Sequence, residues 1–328
     1  MKAACGTDIQ YASDLIKAGK LVAIPTETVY GLAANGLNEE AVLSIFKAKN
    51  RPDFDPLILH VANMEAAFAL ACEVPEMAKK LAEAFWPGPL TLVLPKKNTV
   101  PYVVSSGLET VGLRVPNHPL SLALLNALPF PLAAPSANPF GYISPTTAEH
   151  VMENLGNRVD YTLDGGPCAM GLESTIIGFE NGEPVILRRG SLAKSAIEKV
   201  TGPISERINV SGNPKAPGQL SVHYAPRKKL VLINSETEIS EEILNTPFTL
   251  LRFGSNLPYL KGKEALELNF SADANYSEAA RKFYAMLREA DAGNPELLVS
   301  AYITGHEMAD AINDRLKRAA TFNITTHE

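Results

Sequence analysis

Leu21-Val22-Ala23-Ile24-Pro25-Thr26-Glu27-Thr28-Val29-Tyr30-Gly31-Leu32 is an apolar run that turns at a proline into a polar segment. Residues 21–25 read as a short buried strand. In open α/β sheets, ligands gather at the carboxyl ends of such strands. Thr26 and Thr28 alternate with Glu27, so their hydroxyls share a face if the chain stays extended. A plain β-turn with a solvated glutamate fits the same residues equally well.

Outward from this stretch, helix and strand patterns alternate. Thr7 or Asp8 can cap a first helix that buries Ala12, Leu15 and Ile16 and stops at Gly19. Further helices are predicted over 39–49, 76–85, 118–128 and 147–155. Strands are predicted over 56–61, 90–94, 131–134, 161–163, 174–179 and 185–187. This order predicts one α/β domain over 1–200, built on a twisted mixed sheet. Residues 201–226 are rich in Gly and Pro with little periodicity, which reads as a linker. Residues 227–328 resume the alternation, with long helices over 276–292 and 309–320. They predict a small α/β/α domain similar to a doubly wound one.

Bulk composition bounds the function. The 328 residues carry 30 basic and 36 acidic side chains, a net charge of −6. Up to position 225 there are 18 basic and 21 acidic residues, and 12 and 15 beyond it, so each part is −3. Neither part reads as a basic nucleic-acid module, and an anionic ligand must be held by local cations. Cys5, Cys72 and Cys168 are dispersed and odd in number, which predicts no disulfide framework and a reducing, cytoplasmic setting. No apolar run approaches the roughly 18–20 residues of a membrane span.

Two short segments carry the densest chemistry. Lys49-Asn50-Arg51-Pro52 places two cations just past a helix, where they suit polyphosphate oxygens or simply offset the helix dipole. Ala134-Pro135-Ser136-Ala137-Asn138-Pro139 presents a hydroxyl and an amide on a proline-stiffened turn. His60 ends an apolar strand, where a lone histidine is more often a satisfied core residue than a ligand contact. Arg114, between Leu113 and Val115, sits at an edge or in a polar cleft, where it suits a carboxylate. Gly166 and Gly171 have phosphate-loop spacing, but Leu172 stands where its lysine belongs. The histidines show no metal-ligand spacing. Leu187-Arg188-Arg189-Gly190 adds two cations at a strand end, and His223-Tyr224 stand in the linker.

Together with Pro56-Leu57-Ile58-Leu59-His60, Trp86-Pro87-Gly88-Pro89, Arg114-Val115-Pro116 and Glu173-Ser174-Thr175, these segments resemble the YrdC/Sua5 family in motif order. The Pro217-Gly218 and His223-Tyr224-Ala225-Pro226 linker, with about a hundred residues after it, resembles the longer Sua5 type. The resemblance implies a YrdC-like catalytic domain followed by a Rossmann-like Sua5 domain. It implies that L-threonine, bicarbonate or CO2, and ATP give L-threonylcarbamoyladenylate and pyrophosphate. The product would pass to the proteins that complete N6-threonylcarbamoyladenosine in tRNA. Mg2+ would accompany ATP, with no protein ligand assigned to it.

By the same resemblance, Lys49, Arg51, Ser136 and Asn138 are the catalytic set and bind ATP. Asp55, Thr110, Ser144, Arg188 and Tyr224 are further ATP positions, with Tyr224 carried by a linker that acts as a lid. Thr28, His60, Arg114, Ala134 and Ser174 bind threonine. Two positions depart from the family pattern. Asn50 replaces the usual Gly, and it tolerates a left-handed conformation. Asp55 replaces the usual Asn, and a carboxylate there repels a triphosphate unless it binds Mg2+ or a cation. The alternative reading is a YrdC-fold module that binds nucleotide or RNA without catalysis, and weak RNA binding also stands among the expected partners. No membrane partner is expected.

Overall fold

A computed structural model describes residues 4–52, 54–208, 224–235 and 239–324. The described chain falls into two compact units. The first lies within residues 1–140, 144–169 and 173–220, and the second within 141–143, 170–172 and 221–328. Residues 209–223, which hold Pro217, Gly218, His223 and most of the expected lid, lie outside the described residues.

The first unit is built on eleven strands. In chain order they are β1 Ala4–Gly6, β2 Val22–Ile24, β3 Gly31–Asn35, β4 Ile58–His60, β5 Leu90–Pro95, β6 Thr110–Arg114, β7 Leu132–Ala133, β8 Tyr161–Leu163, β9 Thr175–Glu180, β10 Glu183–Arg188 and β11 Ser205–Glu206. They form one mixed sheet in the order β1-β8-β2-β3-β7-β4-β6-β5-β9-β10-β11. Helices Ile9–Lys17, Glu39–Lys49 and Ala148–Asn154 each begin at a side-chain cap, from Asp8, Asn38 and Thr147 respectively. Ser205–Glu206, inside the stretch that reads as linker, pairs with Val185 and Ile186 as an edge strand. Two residues are too few to show a period.

Register sets which side chains share a face, because residues paired across strands point the same way. His60 pairs with Arg114, Ile58 with Gly112, Val93 with Gly112, and Thr91 with Ile176. One face of the central strands therefore carries Thr110, Arg114, His60 and Thr91, over an apolar patch of Ile58, Val93, Ile176, Val185 and Leu187. The other face sends Leu59, Leu92, Leu113, Ile177 and Ile186 into the main core. The sheet thus splits into a packing side and a polar side.

The second unit has five strands in one sheet: β12 Lys229–Ile233, β13 Phe248–Arg252, β14 Leu266–Asn269, β15 Leu297–Ala301 and β16 Phe322–Ile324. Their order is β14-β13-β15-β12-β16, and every pairing is parallel. Parallel neighbours need crossover connections. Helices Tyr276–Ala292 and Glu307–Ala319 supply two of them.

Candidate active site

The helix Glu39–Lys49 ends on Asn50 in a left-handed conformation, with φ 51° and ψ 40°. The asparagine therefore makes the turn that glycine would make, and it aims the next residues away from the helix. Lys49 is only 1% exposed. Its Nζ donates to the carbonyl oxygens of both Ser136 and Asn138. The Phe140 amide in turn donates to the Lys49 carbonyl at 2.8 Å. The two segments singled out in the sequence are thus tied together by one ammonium. Burial, reinforced by the Arg51 charge, holds the Lys49 pKa well below the usual lysine range.

Residues 134–138 run along the turn after β2. Leu32 N donates to Pro135 O at 2.7 Å, and Ala137 N donates to Tyr30 O at 2.8 Å. Gly31 permits this approach, since a Cβ there would lie 3.2 Å from the Ala134 Cβ. Thr26 and Thr28 have hydroxyl oxygens 2.8 Å apart, brought together not by an extended chain but by a turn in which Thr26 Oγ1 accepts from the Thr28 and Val29 amides. Glu27 is not the solvated residue of the plain-turn reading. It is 6% exposed, and Oε1 lies 2.7 Å from the Arg114 guanidinium. Its Oε2 accepts from the Asn117 amide at 3.0 Å, while Arg114 Nε donates to Gly88 O. Glu27 is a site residue that the residue-type reading left undecided.

His60 lies beside Arg114 in the sheet register. Complete burial and the neighbouring guanidinium push its pKa down to about 3, so its ring is neutral. Its Nδ1 has no hydrogen-bond partner among the described residues. Ala134 N donates to Ile58 O at 3.1 Å, which docks the 134–138 turn against β4.

Ser174 bonds Thr91 between hydroxyls at 2.8 Å. Arg188 Nη2 donates to the Ser174 carbonyl at 2.9 Å and to its hydroxyl at 3.2 Å. The β9–β10 register slips between Ile186 and Arg188. A bulge of this kind re-aims side chains, and here it turns Arg188 inward, while Arg189 pairs with Glu206 at 2.8 Å. Only one cation of the pair therefore reaches the site. Ser144 donates to Glu173 Oε1 at 2.8 Å. Thr91 carries no motif of its own, and only the register identifies it; Glu173 lies in the Glu173-Ser174-Thr175 motif, which assigns it no role.

Arg51 Nη2 lies 2.9 Å from the buried Asp55 carboxylate. Thr110 shares the Arg114 face but stands four residues along β6, roughly 13 Å away. There it borders a cavity of about 430 Å³ lined by Val93, Pro95, Gly178, Val185 and Leu187 among others. Tyr224 is described in the second unit, buried with its ring centroid 5.8 Å from that of Tyr284. Among the described residues, no cluster of three or more His, Cys, Asp or Glu could hold a metal ion, and no helix is long and apolar enough to cross a membrane.

This fold and site define a two-unit α/β protein whose first unit gathers buried cations on the polar side of a mixed sheet. Residues 14–190 match the Sua5/YciO/YrdC family, described as "Telomere recombination". Residues 192–321 match the family described as "Threonylcarbamoyl-AMP synthase, C-terminal domain". The chain belongs to the Sua5/YciO/YrdC family, in its long two-domain Sua5 form. It is 39% identical to a threonylcarbamoyl-AMP synthase of Pyrococcus abyssi, with 96% of this chain and 95% of the relative covered. It is 38% identical to one of Bacillus subtilis, with 95% and 92% covered. Its structure matches that of P. abyssi Sua5 complexed with L-threonine at a TM-score of 0.89 and 36% identity, covering 99% of each chain.

Proposed function

We propose that the chain forms L-threonylcarbamoyl-AMP and pyrophosphate from L-threonine, bicarbonate or CO2, and ATP. One arrangement carries the reading for this site: buried Lys49 is tied to Ser136 and Asn138, buried Arg51 lies 2.9 Å from the Asp55 carboxylate, and buried Arg188 is tied to Ser174. The threonine amine and CO2 give a carbamate and a proton. A carbamate oxygen then attacks the α-phosphorus, and pyrophosphate leaves. Negative charge spreads over phosphate oxygens in that step, so fixed cations and positioning supply the rate.

Lys49, Arg51 and Arg188, with Ser136, Asn138 and Ser144, take the phosphates and ribose. The cavity beside Thr110 takes the base against its apolar floor. Arg114, held by Glu27, takes the threonine carboxylate. Thr28, neutral His60, Ser174 and the Ala134 backbone seat the amine and hydroxyl. Mg2+ travels on the ATP phosphates and neutralises their charge; the Asp55 carboxylate beside the cations is already engaged by Arg51. The product passes to tRNA-modifying transfer proteins in the cytoplasm, a setting suited to the free thiols of Cys5, Cys72 and Cys168. Mass spectrometry with isotope-labelled bicarbonate tests the reaction. The label is expected in a threonine-containing adenylate, and an adenylate without it counts against the carbamate step.

A further inference from the structure

Asp55 is 0% exposed, in a site otherwise rich in positive charge. The Arg51 guanidinium beside it is positioned by other atoms: Nε donates to the Asp55 backbone carbonyl at 3.1 Å, and Nη2 donates to the Pro56 carbonyl at 2.9 Å. The carboxylate stands at ion-pair distance from Nη2, yet neither of its oxygens receives a well-aligned hydrogen bond among the described residues. It contributes charge rather than position.

Burial pushes the Asp55 carboxyl above its ordinary range, and the charges of Arg51, Lys49 and Arg188, from the end of helix Glu39–Lys49 and from β10, pull it back toward the charged form. Burying three cations together is costly unless a counter-charge lies among them. The same negative charge opposes an incoming triphosphate.

We propose that Asp55 is a resident counter-anion of the cation cluster, which stabilises the nucleotide-free protein and weakens its affinity for ATP. The proposal rests on the reading that these cations bind the phosphates. An asparagine at this position keeps both backbone bonds to Arg51 and removes the opposing charge.

The test compares wild type with Asp55→Asn and Asp55→Ser. Thermal unfolding is followed with and without inorganic triphosphate, and ATP affinity is measured by calorimetry without threonine. Both variants are expected to unfold at lower temperature than wild type, to gain more from triphosphate, and to bind ATP about tenfold more tightly. A variant that folds only with triphosphate supports the proposal, and one that triphosphate fails to recover overturns it. ATP binding no tighter than wild type in both variants also overturns it. Arg51→Ala separates this from the underlying reading. If Arg51→Ala binds ATP as wild type does, the phosphate site itself has been misassigned. If it loses ATP while the Asp55 variants gain none, only the counter-anion role fails.

Discussion

Glu27 and Arg114 lie 2.7 Å apart, with both side chains almost wholly buried. The carboxylate is anchored in turn by the Asn117 amide, so it fixes where the guanidinium points. Removing one partner of a buried pair leaves an uncompensated charge, at about 3–5 kcal/mol. Glu27→Ala is therefore expected to lose stability of that order in chemical denaturation. It should also raise the KM for threonine far more than that for ATP. Equal effects on both substrates would place Glu27 outside the threonine side.

His60 gives the stability curve a defined sign. Its folded pKa, about 3, lies below the unfolded value near 6.5. The unfolded chain therefore binds the extra proton, and stability falls as pH drops from about 6.5 toward 3, by up to about 1.4 kcal/mol per pH unit. Above that window the contribution is constant. Wild type should lose more stability between pH 6.5 and 5 than His60→Gln does. Parallel curves for the two proteins would contradict the neutral, buried ring.

Gly190 touches the start of β9 so closely that a Cβ would lie 2.3 Å from the Ser174 carbonyl carbon and 2.4 Å from Glu173 O. Those atoms are backbone and cannot step aside cheaply. Gly190→Ala is expected to cost about 1–3 kcal/mol. It should also weaken both substrates, because Ser174 and Arg188 move with the strand. Unchanged kinetics in a destabilised variant would show that the strand start tolerates displacement.

Lys49 serves two carbonyls with one ammonium. Lys49→Met keeps the aliphatic stem and leaves both oxygens without that donor, at about 1–3 kcal/mol each if they stay buried. With the phosphate cation also gone, kcat/KM for ATP should fall by about 10²–10³. A variant that is destabilised yet turns over ATP normally would reduce Lys49 to a purely structural tie.

Much of the fold is legible in the sequence, and the reasons are local. The spans 39–49, 76–85 and 276–292 coincide with helices Glu39–Lys49, Glu76–Phe85 and Tyr276–Ala292. Asn38, Pro75 and Asn275 mark their starts, and the apolar period is unbroken. The strand Gly31–Asn35 is hidden because Gly-Leu-Ala-Ala-Asn has no alternation to read. Ala4–Gly6 and Phe322–Ile324 are too short to carry a period, and helix Lys194–Thr201 has no side-chain cap. At the site, the tie from Lys49 to Ser136 and Asn138 spans nearly ninety residues, so no local pattern reports it. The split between Arg188 and Arg189 depends on a bulge, which shows only once β9 and β10 are paired.

Pyrophosphate release from ATP, followed with threonine and bicarbonate added separately and together, tests the central claim most directly. Release is expected only when both are present, and it should vanish in Lys49→Met. Release that proceeds without threonine, or no release under any combination, would contradict an adenylate-forming site built on the Lys49, Arg51 and Arg188 cluster.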